Sequence, residues 1–183
     1  TPGFDNNFFN NSDPNYHRIK AITDQFEPGS TYKVVSAISA LMSTKVSAKQ
    51  EFNCEDGQYQ YYTIPIRDHK PYSMLSTSQI IQHSSNIGII KIIEEVGPRA
   101  LYNISRDFGF GSKTGIKLDG EVKGTLNSFV DWSAVSLGQI AMGHEVGVTA
   151  IQLAMAYCAI ANGGYLLQPK LIRQVIDSEN FSL

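Results

Sequence analysis

Between residues 76 and 109 the chain carries helix start and stop signals so closely spaced that a run of short helices satisfies them best. Ser76-x-x-Gln79 has the form of a capping box, opening a helix through Ile80 and Ile81. Ser84-Ser85-Asn86 follows, and a second helix runs through Ile89, Ile90, Ile92 and Ile93. Gly97-Pro98 stops it. A third helix spans roughly Pro98 to Phe108, with Pro in its first turn and Gly109 after its end.

The flanking sequence fits the same helix-rich plan. Glu27-Pro28-Gly29-Ser30 is a turn that leads into Val34, Val35, Ile38, Leu41 and Met42, a helix buried on much of its surface and fraying near Thr44. Thr149 is a good N-cap for a late helix through Ile151, Leu153, Ala156, Tyr157 and Ile160, closed by Asn162-Gly163-Gly164. The longest apolar runs, Val34–Met42 and Leu153–Ala161, fall well short of the roughly 20 residues of a membrane span and read as buried helix faces. Strand signals are sparser. Asp56-Gly57 is a turn, Tyr59 to Ile66 supplies one short strand, and Leu171 to Ile176 reads as another. Residues 1–16 have loop composition, pinned by Phe4, Phe8 and Phe9, and Phe108 to Gly124 is rich in glycine and turns. The expected class is α/β of the α+β type: a helical subdomain with a few strands of an antiparallel sheet.

Composition removes whole classes of function. The chain has 183 residues, room for one domain, with 42% apolar and 17% charged residues, which argues for a packed core rather than disorder. Fifteen basic against seventeen acidic residues leave a net charge of -2, without the basic excess of a nucleic-acid binder. His17, His69, His83 and His144 form no metal-type spacing with one another or with Cys54 and Cys158, so neither a metal nor a cofactor is expected. The two cysteines fit one disulfide or two free thiols. The first residues, polar and Asn-rich, do not read as a secretory leader.

Three short patterns carry chemistry. In Ser30-Thr31-Tyr32-Lys33 the first and last residues share a helix face, so the lysine amine can approach the serine hydroxyl. A serine needs such a base to become a nucleophile, and a lysine serves when burial lowers its pKa. The helix N-terminus at Ser30 also favours developing negative charge. Eighteen serines and ten lysines make about one S-x-x-K expected by chance, so this pattern needs company. Ser84-x-Asn86 lies at a helix–helix junction, where a hydroxyl can relay a proton and an amide can hold a substrate amide, or where both serve only as polar caps. Ser178-x-Asn180 repeats that spacing in the polar tail without helical context. Lys113-Thr114-Gly115 would present a cation from a strand, but it sits in a glycine-rich turn. Tyr32 falls on the wrong face for Ser30 and reads as packing. His144 reads as a loop or turn residue, Thr149 as a cap and Asp68 as structural.

Taken together, the segments resemble the transpeptidase domain of a class B penicillin-binding protein. Phe26-Glu-Pro-Gly-Ser-Thr-Tyr-Lys-Val34 is similar to the nucleophile segment of that family, and Ile80-Ile-Gln-His-Ser-Ser-Asn-Ile-Gly88 to its second motif. Phe108-Gly-Phe-Gly, Thr114-Gly-Ile and Gly120-Glu121 resemble a family segment distinct from its catalytic triplet. Gly143-His-Glu-Val-Gly-Val-Thr149, Gln152-Leu153 and Ala161-Asn-Gly-Gly164 complete the series in the family's order. The resemblance implies a serine D,D-transpeptidase that cross-links peptidoglycan. Ser30 would attack the D-Ala-D-Ala carbonyl of a stem peptide, Lys33 would activate it, Ser84 would relay a proton, and Asn86 would bind the substrate amide. Ser85 is expected among the substrate-binding residues, and the Ser30 N–H in the oxyanion hole. β-Lactam antibiotics would acylate the same serine. The resemblance also implies action at the extracytoplasmic face of the bacterial inner membrane, in the periplasm, with a membrane anchor and an associated glycosyltransferase.

The family's K-T-G or K-S-G triplet should follow Ala161-Asn-Gly-Gly164 by some tens of residues and does not occur before Leu183. The expectation is therefore a partial transpeptidase domain: an N-terminal loop over 1–25, the nucleophile helix and helical subdomain over 26–164, and the start of further strands over 165–183. Two other readings use the same residues. One is a β-lactamase or β-lactam sensor of the same superfamily, although the His144 segment and the flanks of Ser84 fit transpeptidases better. The other is a non-catalytic cell-wall binding or assembly module.

Overall fold

Residues 5–174 are described by a computed structural model. After several 3-10 turns and a one-turn helix α1 (Lys20–Thr23), a 3-10 turn over Gly29–Tyr32 feeds directly into α2 (Lys33–Met42). Four short strands follow: β1 (Glu51–Asn53), β2 (Gln58–Tyr61), β3 (Ile64–Arg67) and β4 (Met74–Ser76). Then come α3 (Thr77–His83), α4 (Asn86–Val96) and α5 (Pro98–Asp107), a long turn-rich stretch, α6 (Ser136–Met142) and α7 (Ala150–Ala161). The α+β expectation is met by this mixture of helices and small antiparallel ladders.

The core is organised around α4. Ile87, Ile89, Ile90, Ile92 and Ile93 are all fully buried, and a helix apolar on almost every side must be surrounded. It is packed by α2, α3, α5 and α6 and by strands β1 and β3. Gly88 permits a close crossing, since a Cβ there would lie 2.5 Å from Ile80 Cγ1 of α3. Local chemistry sets the helix ends. Ser76 and Gln79 form the reciprocal capping box expected for α3, Ser85 Oγ accepts from Gly88 N to cap α4, and Thr149 with Gln152 forms a second box on α7.

The strands pair as β1 with β4, matching Phe52 to Leu75, and β2 with β3, matching Tyr61 to Ile64 and Gln58 to Arg67. Both pairs are antiparallel and turn Phe52, Leu75, Tyr61 and Ile66 into the core. The expected single strand from Tyr59 to Ile66 is thus a hairpin, because Tyr62 at φ 51° reverses the chain in its middle. An isolated bridge, Phe26–Val148, ties the approach to Ser30 to the approach to α7, and a second, Thr125–Gly147, ties the turn-rich stretch to the same approach.

Two further readings need correction. Residues 171–174 carry bends at 171 and 173 and no strand, and the remainder of the expected strand lies outside the described residues. Leu171 and Ile172 are well exposed, and among the described residues no strand pairs with them. The same holds for the further strands expected over 165–183: residues 165–174 carry none. The apolar run Leu153–Ala161 is buried only along a stripe through Ala156 and Ala159, leaving Tyr157 and Ile160 exposed. α6 was not legible in the sequence, for it has no side-chain cap and contains Gly138. That glycine is needed where Tyr61 lies against the helix.

Candidate active site

Ser30 sits in the 3-10 turn that precedes α2, and this turn is held from three sides. Gly29 N donates to Gly143 O at 3.0 Å, Thr31 Oγ1 to Pro28 O at 2.6 Å, and Tyr157 OH to Thr31 O at 2.8 Å. Gly143 has φ 90°, and a Cβ there would collide with the backbone of Gly29, so only glycine lets the two segments meet. Tyr32 is fully buried, its hydroxyl donating to Ser105 Oγ at 2.5 Å, which is the packing role expected of it. Ser30 itself is exposed, and among the described residues its hydroxyl has no hydrogen-bond partner.

Lys33, one turn further on, is 3% exposed. Its Nζ donates to Ser84 O at 2.6 Å, to Ser84 Oγ at 3.0 Å and to Asn86 Oδ1 at 2.6 Å. Those three acceptors match the three protons of an ammonium. Burial nevertheless pushes Lys33 down to about 8, with the Asp68 carboxylate opposing the shift. A neutral amine can keep its bonds to Ser84 O and Asn86 Oδ1, which only accept. It would then turn its lone pair to Ser84 Oγ, which can donate. The lysine therefore works as donor or acceptor toward Ser84 without moving. Its placement differs from the simple helical expectation: the amine faces the second motif, because its protons are used there, rather than bonding directly to Ser30.

The second motif is presented at the α3–α4 junction. Ser84 ends α3 in the left-handed region at φ 55°, a conformation that costs a non-glycine residue energy and turns its carbonyl toward Lys33. Asn86 begins α4. With Oδ1 on Lys33, its Nδ2 donates to Arg67 O at 2.8 Å, leaving one amide proton for another acceptor. Ser85 points the other way. It is buried, its hydroxyl accepting from Gly88 N at 2.8 Å and donating to Asp68 Oδ2 at 2.5 Å. That corrects the expectation of Ser85 as a substrate-binding residue, since N-capping of α4 occupies its side chain. Ser30, Ser84 and Asn86 line one cleft of about 470 Å³, together with Arg67, Asp68, His69 and His83. Sequence reasoning did not place Arg67, His69 or His83 there, because the hairpin that delivers the first two was not recognised.

The family model described as "Penicillin binding protein transpeptidase domain" matches residues 1–182. The chain belongs to that family. "Stage V sporulation protein D" of Bacillus subtilis strain 168 is 33% identical over 179 residues, covering 96% of this chain and 28% of that protein. "Probable peptidoglycan D,D-transpeptidase PenA" of Neisseria meningitidis serogroup A is 29% identical over 176 residues, covering 96% of this chain and 30% of its own. The chain thus spans less than a third of either relative. Among solved structures, the TP domain of Burkholderia pseudomallei penicillin-binding protein 3 superposes with a TM-score of 0.82 at 28% identity, covering 91% of this chain and 50% of that one.

Within this transpeptidase-family fold the remaining sequence signals have structural roles. Lys113-Thr114-Gly115 lies in a loop closed by Glu121, whose carboxylate accepts from Thr114 N and Thr114 Oγ1, each at 2.6 Å, and from Gly115 N at 3.2 Å. His144 Nδ1 lies 2.9 Å from Glu27 Oε2, and Glu145 N donates to Glu27 Oε1 at 3.0 Å, which holds Glu27 below the usual carboxylate range. Thr149 caps α7, as expected. Cys54 and Cys158 are free thiols, the first buried and the second exposed. Ser178-x-Asn180 lies outside the described residues. Among the described residues no helix is long and apolar enough to cross a membrane.

Proposed function

We propose that the protein is a peptidoglycan D,D-transpeptidase that works through an acyl-enzyme on Ser30. One observation carries the reading: a buried lysine, low in pKa, bonded to Ser84 and Asn86 beside a cleft that also holds an uncommitted serine hydroxyl. Relatives named penicillin-binding proteins and peptidoglycan D,D-transpeptidases support it. On this reading residues 26–164 form the helical part of the catalytic domain.

Neutral Lys33 turns its lone pair from Ser84 Oγ to Ser30 and takes the proton of Ser30 as the Ser30 Oγ bonds to the carbonyl carbon of the penultimate D-Ala. The tetrahedral oxyanion is stabilised by backbone N–H groups that include that of Ser30. Collapse breaks the amide bond, and the departing D-Ala amine receives a proton from Ser84, which regains one from Lys33. The free Asn86 amide proton holds the substrate's amide carbonyl. The amine of a second stem peptide then attacks the ester, forming the cross-link and returning the proton to Ser30. A β-lactam opens on the same serine and leaves a stable ester. This work would take place on the outer side of the cytoplasmic membrane, alongside a glycosyltransferase.

A fluorescent penicillin tests the reading. It is expected to label the protein with the mass of the intact drug, and Ser30→Ala is expected to abolish the adduct. Labelling that survives Ser30→Ala, or no labelling of the unmodified protein, would overturn the assignment. Rapid loss of the label by hydrolysis would indicate a β-lactamase instead.

A further inference from the structure

Asp68 follows β3 and reaches across to the junction that carries the second motif. Its Oδ1 accepts from Asn86 N at 2.5 Å and from Ile87 N at 3.1 Å, and its Oδ2 accepts from Ser85 Oγ at 2.5 Å. Its own backbone N–H donates to Gly57 O at 3.1 Å, anchoring the carboxylate from behind. Two orphan N–H groups of α4 and the capping serine therefore converge on one side chain. The partners of that junction, Ser84 and Asn86, are in turn the groups that hold Lys33.

We propose that Asp68 is the positioning residue of the Lys33–Ser84–Asn86 constellation, its carboxylate fixing the Ser84-Ser85-Asn86 turn on α4 and supplying the negative charge that faces the Lys33 amine. The proposal rests on the transpeptidase reading for its catalytic consequence, but not for its electrostatic content. In this proposal Asp68 acts through Asn86 and Lys33 rather than on the substrate itself. Geometry supplies the first part, because losing the carboxylate would leave Asn86 N and Ile87 N without their acceptor and free the turn to shift. Electrostatics supplies the second. Asp68 raises the pKa of Lys33 against the larger effect of burial, so the lysine settles at about 8 rather than lower. The other ionisable groups around the cleft are Arg67, His69 and His83. Lys91 on α4 is engaged by Glu55, and α6 carries no ionisable side chain.

The test separates charge from folding. The Lys33 midpoint is followed by NMR of its labelled side chain in the full chain, beside the pH profile of acylation by a fluorescent penicillin. Asp68→Asn is expected to move both midpoints to lower pH and to slow acylation at least tenfold on the plateau. Ser85→Ala, which removes a cap but keeps the carboxylate, is expected to weaken the fold without moving either midpoint, and Asp68→Glu to restore the midpoint toward the wild-type value. An unmoved midpoint in a folded Asp68→Asn would overturn the proposal, because a purely structural role lowers the rate at every pH alike. Should Asp68→Asn fail to fold, the unmodified chain still decides. The Asp68 carboxyl carbon is expected to show a titration step at the Lys33 midpoint, and its absence would sink the idea. An unmodified chain that is never acylated would count against the transpeptidase reading alone, since the NMR midpoints do not depend on catalysis.

Discussion

At Lys33, two consequences of burial can be measured separately. On the proposed reading the base that activates Ser30 is the neutral amine, whose fraction falls about tenfold per pH unit below the midpoint. Acylation is therefore expected to rise with pH up to about 8 and then level off, and Lys33→Ala to be acylated at least a hundredfold more slowly across that range. Stability responds to the same shift. The folded chain holds Lys33 at about 8 against 10.5 for an ordinary lysine, so between those values the unfolded chain binds more protons and stability rises with pH. Lys33 thus costs on the order of 3 kcal/mol near neutral pH, a liability that is relieved as pH climbs. The expected signature is a stability difference between wild type and Lys33→Met that moves in favour of wild type between pH 8 and 10.5, measured by urea unfolding at each pH.

At the scale of elements, α4 is both the centre of the core and the platform for Asn86. Ile90→Ala removes a fully buried side chain and is expected to cost about 2–5 kcal/mol in urea unfolding. Gly88→Ala adds a single methyl where α3 crosses α4 and is expected to cost about 1–3 kcal/mol through overpacking. The second change also presses on the helix that ends at Ser84, so its acylation rate should fall further than that of an equally destabilised Ile90 variant. Much at this scale was readable in the sequence. The start of α3 at Ser76, the break at Ser84-Ser85, the stop at Gly97-Pro98 and the cap at Thr149 are set by side chains within a few residues of the backbone groups they satisfy. β1 and β4 escaped because three residues are too few to show alternation, and their pairing joins positions 21 to 25 apart in the chain. The β2–β3 hairpin escaped because Tyr62 adopts a conformation usually left to glycine or asparagine.

Across the whole molecule, the approach to α7 and the nucleophile turn are one mechanical unit. The Phe26–Val148 bridge and the Gly29–Gly143 contact bind them on one side of Ser30, and Tyr157 reaches the same turn from α7. Gly143→Ala is expected to push the Ser30 turn away and to reduce penicillin acylation by at least a hundredfold. The core around α4 should remain folded, as near-unchanged helical circular dichroism would show. Loss of acylation in proportion to loss of structure would contradict this separation.

The candidate residues Ser30, Lys33, Ser84 and Asn86 were visible along the chain, and their order among recognisable flanks was enough to indicate the family, whereas Arg67, His69 and His83 of the same cleft were not. The helix periods, caps and turns that were visible are those decided by neighbours in sequence. What the tertiary structure alone decided is which groups meet. Lys33 bonds to residues 51 and 53 positions away, Asp68 caps a helix 18 positions on, and Ser85 is taken from the cleft by that cap. A lysine's basicity depends on the water it loses and the charges it faces, and only the packing of α2 against the α3–α4 junction determines both.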